Sequence, residues 1–96
     1  RMKVKAHPFE DFEYKGERIR RVSFEFNTPS THEVSILLDE HDKPVYGEEI
    51  AYGSWDTYEA DELDGLLDYI TDHGIELADV ILMAKRKRAY QRHAVA

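Results

Sequence analysis

Asp61, Asp64, Asp68 and Asp72 stand at three- and four-residue intervals, the spacing that sets side chains on one ridge of a helix about 5 to 6 Å apart. Like charges so placed repel each other, so a helix that keeps them is either solubilising its outer face or offering negative charge to something positive. Carboxylates in a line resemble the phosphates of a nucleic-acid strand. One chemistry open to them is therefore to imitate a nucleic acid and occupy the groove of a protein that binds one.

The opposite signal follows close behind. KRKRAYQRH, residues 85–93, carries Lys85, Arg86, Lys87, Arg88 and Arg92, cations that could contact phosphates while Tyr90 stacks on a base. If the two segments are helices joined by a short turn, they pack antiparallel, and Lys85, Arg86, Lys87 and Arg88 would then run past Asp64, Glu62, Asp61 and Glu59 and neutralise them. Against nucleic-acid binding stands the balance of the whole chain: the formal net charge is −7 with pI near 5.1, which lacks the basic footprint of a nucleic-acid binder.

YGSWDTY, residues 52–58, places Trp55 and Tyr58 around Gly53. Such aromatics either anchor a partner or plug the end of a small core. The histidines show no HExxH spacing, and the carboxylates lack the pattern of an EF-hand loop, so no metal site and no cofactor is expected. No nucleophile with a matched base and no phosphate-cradling glycine loop is present either, which argues against an enzyme.

The charge is distributed in three blocks. Residues 1–38 balance at +1, residues 39–80 at −13 and residues 81–96 at +5. At 96 residues the chain suits one domain with one modest core, read here as residues 2–96, with Met2 as the natural start. With 42% hydrophobic residues against 34% charged, it should fold rather than stay disordered. The absence of cysteine fits a reducing compartment, and no apolar run is long enough for a membrane span, so a cytoplasmic protein is expected.

The elements that must carry these residues are strands first and helices after. Val22, Phe24 and Phe26 alternate with polar residues, as in a half-buried strand. Phe12 and Tyr14 lead through Lys15-Gly16-Glu17 into it, which predicts a hairpin with Gly16 at positive φ. Val34, Ile36 and Leu38 repeat the alternation, and Asp42-Lys43-Pro44 turns the chain into a weaker strand from Val45 to Tyr52. From Asp56 the period becomes helical, with Leu63, Leu66, Leu67 and Ile70 on one stripe and an Asp56/Glu59 capping box at its start. Gly74 ends this helix in a Schellman cap that sets Ile75 against Ile70. Leu77, Val80, Ile81 and Ala84 form a second stripe, although VILM at 80–83 also suits a short strand. Ala78, Leu82 and Ala89 give that helix another apolar face, so it is expected either between the first helix and the sheet or in a homodimer interface.

The fold predicted is α+β: an antiparallel sheet of three to five strands in the N-terminal half, covered on one face by a C-terminal antiparallel helical hairpin. The expected function is that of a small acidic regulatory or inhibitory protein. It would bind a basic protein, one that itself binds nucleic acid being a natural target, through Asp61, Asp64, Asp68, Asp72, Trp55 and Tyr58. The alternative is a nucleic-acid-binding regulator that uses Lys85, Arg86, Lys87, Arg88 and Arg92.

Overall fold

The computed structural model describes residues 3–95, so residues 2 and 96 of the expected domain lie outside the described residues. In chain order the elements are β1 Lys5–Ala6, β2 Glu10–Tyr14, β3 Glu17–Asn27, β4 Thr31–Leu38, β5 Pro44–Ala51, β6 Ser54–Tyr58, α1 Asp61–Asp72 and α2 Leu77–Val95. The architecture is the expected α+β one, an antiparallel sheet with both helices packed against it. β3, β4, β5 and β6 form a meander, and β1 and β2 pair with the other edge of β3.

Alternation along the strands decides which face is covered. Val22, Phe24 and Phe26 stand across from Ile36, Val34 and His32, and all six are buried. On the other face Ser23 lies opposite Ser35 and Glu25 opposite Glu33. Lys15 and Gly16 both take positive φ, 51° and 78°, as the tight turn between twisted strands requires, and the expected hairpin is the one formed.

Tyr52 and Gly53 repeat that geometry at 53° and 75°. They return the chain along β5, so Asp56 pairs across from Glu49 in β6 instead of opening a helix. α1 begins only at Asp61, after Ala60 at φ 50° and without a side-chain cap hydrogen bond. The expected Asp56/Glu59 capping box is thereby corrected: backbone pairing with β5 takes residues 54–58 before the helix can start. At its other end α1 closes as predicted. The Ile75 N–H donates to the Ile70 carbonyl at 3.0 Å and the Gly74 N–H to Thr71 at 2.9 Å, with Gly74 at φ 78°.

α1 rests on β5 and β6, and α2 on β1 and β3. The expectation that α2 lies between α1 and the sheet is corrected, because the two helices divide one sheet face between them. Residues 80–84 are helical, with Val80, Ile81 and Ala84 buried. Ala78, Leu82 and Ala89 face outward, Leu82 being 47% exposed.

Gly47 sets how close α1 comes to the sheet. A Cβ at this position would stand 2.7 Å from Leu66 Cδ2 and 3.2 Å from Leu63 Cδ1, so the two leucines occupy space that any other residue would need. Gly47→Val should therefore lower stability by about 1 to 3 kcal/mol in urea unfolding; an unchanged midpoint would show that α1 can lift without loss.

Candidate functional site

Three of the five lysine and arginine side chains of α2 reach acceptors on the sheet side. Lys85 Nζ lies 2.7 Å from Asp42 Oδ2, and Asp42 also accepts a hydrogen bond from the Arg20 guanidinium. Arg88 stands 3.8 Å from Asp11 Oδ2, and Lys87 donates to the Ala6 carbonyl. The buried Phe9 ring has Arg20, Lys85 and Arg88 at 5.4, 5.4 and 5.2 Å from its centroid, a contact that adds cation–π attraction to the ion pairs. The Arg18 hydrogen bond holds the Asp11 carboxyl below its usual range, and the nearby charges of Arg88 and Arg92 act in the same direction.

This corrects the expectation that the tail neutralises the acidic helix. Among the described residues, the ion pairs of Lys85 and Arg88 go to Asp42 and Asp11, and none involves a carboxylate of α1. The physical reason is the side-by-side arrangement: α2 lies over β1 and β3, whose neighbouring loops and strands supply the nearer acids. Of the cations considered for nucleic acid, Lys85 and Arg88 are half-buried against these partners, Lys87 is exposed although its Nζ reaches the Ala6 carbonyl, and Arg86 and Arg92 are exposed, as is Tyr90.

The opposite side of the molecule keeps its negative charge. Asp61, Asp64, Asp68 and Asp72 are all exposed along α1, with Glu59 and Glu62 beside them. Asp61, Glu62 and Asp64 sit in the first turn, where the helix dipole favours anions. Asp72 sits in the last turn, where the dipole disfavours them and no basic residue compensates. Helix stability thus accounts for the first acids of the ridge and not for its end.

Trp55 and Tyr58 do not act together. Trp55 is 67% exposed on the sheet face away from the helices. There its Nε1 donates to Glu48 at 2.8 Å, and its cross-strand neighbour is the exposed Ile50. Tyr58 points to the other face, against the core beneath α1. The reading of YGSWDTY as a plug for the core end is corrected for Trp55 and for Tyr52, which is 64% exposed.

Between α1 and the β5–β6 hairpin lies a cleft of about 620 Å³, with the rings of Tyr52, Tyr58 and Tyr69 and the carboxylates of Glu49, Asp56 and Glu62 in its lining. His32 forms part of it and is only 3% exposed. Its Nδ1 is 2.9 Å from Glu49 Oε2 and 3.2 Å from the Tyr69 hydroxyl, and its Nε2 is 3.3 Å from the Thr28 carbonyl. The imidazole stacks on Phe26 at 4.9 Å and meets the Tyr52 ring edge-on at 5.3 Å. With both ring nitrogens engaged and the ring enclosed, His32 ties β4, β5 and α1 together. Burial raises the Tyr58 and Tyr69 phenols above their ordinary range, and the Glu49 charge raises them further.

Sequence reasoning passed over His32 and Glu49, although a signal existed. His32 continues the alternation of Val34, Ile36 and Leu38 by one step, and Glu49 shares a strand face with Gly47. Among the described residues no group of three His, Cys, Asp or Glu side chains is arranged to hold a metal ion, and no helix is long and apolar enough to cross a membrane. Comparison with family models, with curated proteins and with solved structures finds no match.

Removing one partner of a buried hydrogen bond leaves the other polar group unsatisfied. His32→Leu should accordingly cost about 1 to 3 kcal/mol in urea unfolding, and adding Glu49→Leu should recover part of that loss. A single-variant cost under about 0.5 kcal/mol, the range of an ordinary surface change, would contradict the structural role.

Proposed function

We propose that this protein is a small regulatory or inhibitory binding protein that captures a basic protein partner on the anionic side formed by α1 and the β5–β6 hairpin. The observation that carries this reading is the separation of charge. Lys85 and Arg88 of α2 are drawn onto Asp42, Asp11 and the Phe9 ring, while the exposed ridge Asp61, Asp64, Asp68 and Asp72 has no cation paired to it among the described residues. A field of one sign over one side steers oppositely charged partners and raises their association rate. Asp72 adds weight, since its place at the helix C-terminus opposes helix stability and suits a role in binding.

Carboxylates in sequence along a helix are a rigid counterpart of a phosphate row. A partner whose own ligand is nucleic acid fits that geometry, and the protein would then compete with the nucleic acid for the same groove. Trp55 and Ile50, exposed side by side on the far face of the hairpin, offer apolar contact at the margin of the acidic surface.

Replacing Asp61, Asp64, Asp68 and Asp72 together by Asn removes four charges while nearly preserving side-chain size. Relief of repulsion should leave stability equal or higher by a few tenths of a kcal/mol per pair. For a basic protein captured from an extract by the wild-type chain, affinity should fall at least about tenfold on this change. It should also fall steeply between about 50 and about 500 mM salt, and a nucleic-acid oligonucleotide should displace the partner. Equal affinity for the variant, or binding indifferent to salt, would rule out the ridge as the contact surface.

A further inference from the structure

We infer that the cleft between α1 and the β5–β6 hairpin is a receptor for the guanidinium group of an arginine side chain, so that the basic partner is anchored by one inserted arginine. This deepens the reading of the acidic side and rests on it.

Three features of the cleft converge on a flat organic cation. First, its lining holds the rings of Tyr52, Tyr58 and Tyr69 and, among the described residues, no lysine or arginine. Tyrosine faces attract cations, and a guanidinium can stack on them while keeping its N–H groups free for acceptors. Second, Glu49, Asp56 and Glu62 bring three carboxylates to the same cleft, against which stands only the His32 imidazole. Glu49 is already engaged with His32 at 2.9 Å, which leaves Asp56 and Glu62, both exposed, as the acceptors open to an incoming group. Third, the walls are fixed before anything binds. The Tyr52 hydroxyl donates to the Thr28 carbonyl at 3.1 Å, and the Tyr69 hydroxyl is held at 3.2 Å from His32. Rings held in this way lose little freedom on binding.

Burial and then the Glu49 charge raise the Tyr58 and Tyr69 phenols, in keeping with a cleft whose charge is set by its carboxylates. At about 620 Å³ the space exceeds a guanidinium alone and admits the aliphatic stem of the side chain along Leu66 and Ala51, which also line it. A guanidinium is preferred over an ammonium because it is more weakly hydrated and pairs with carboxylates through two parallel hydrogen bonds.

The test uses the intact protein and two small probes in amide-resolved NMR titrations: N-acetyl-arginine methylamide and its citrulline counterpart, which has nearly the same shape without the charge. The arginine probe should shift the amides of Ala51, Tyr52, Gly65 and Leu66, and the citrulline probe should bind about tenfold more weakly. The Asp56→Asn/Glu62→Gln variant, altered only at exposed positions, should keep its dispersed spectrum and lose the response. Equal binding of both probes, or a variant that responds like wild type, would overturn the inference. Shifts confined to the outer amides of α1, with the cleft silent, would also overturn it while leaving the acidic-surface reading standing.

Discussion

The docking of α2 against the sheet governs how the rest of the molecule presents itself. Phe9 is at its centre: the ring is buried, its backbone N–H donates to the Ala84 carbonyl at 3.0 Å, and Arg20, Lys85 and Arg88 surround it. The ion pairs in this cluster are partly exposed and contribute little to stability. The larger consequence is positional. Once Val80, Ile81 and Ala84 are buried, Lys85 and Arg88 lie beside Asp42 and Asp11, and they are no longer available to the acids of α1.

What remains on the other side follows from that arrangement together with the fit of α1. Gly47 lets Leu63 and Leu66 settle on the sheet, while His32 joins Glu49 and Tyr69 beneath the helix. These contacts turn the ridge of Asp61, Asp64, Asp68 and Asp72 outward. They also hold open the tyrosine-lined cleft beside it, so the acidic surface and the cleft are products of one packing solution.

Much of this was legible locally. The alternation of Val22, Phe24 and Phe26 identified the central strand, Lys15-Gly16 identified a hairpin, and Gly74 with Ile75 identified the helix end, because each depends on backbone preferences within a few residues. The same turn chemistry at Tyr52-Gly53 was overlooked, which moved the helix start from Asp61 to Asp56. The partners of the cations lay beyond local reasoning. Helical periodicity says which residues share a face, but Lys85 and Asp42 are 43 residues apart, and their meeting depends on which strands α2 covers. His32 was hidden for a related reason, since a polar residue on a buried strand face is explained only by a partner supplied from elsewhere in the fold.

The central claim is that charge is segregated, with one anionic side left uncompensated. It is tested most directly by NMR paramagnetic relaxation with a cationic and an anionic nitroxide of the same size, whose ratio at each amide reports the local electrostatic potential. The account predicts strong preference for the cationic probe along Asp61–Asp72 and Ser54–Tyr58, and preference for the anionic probe along Lys85–Arg88, where Asp42 and Asp11 are each shared by two cations. A uniform ratio over the surface, or no cationic-probe preference along α1, would contradict it.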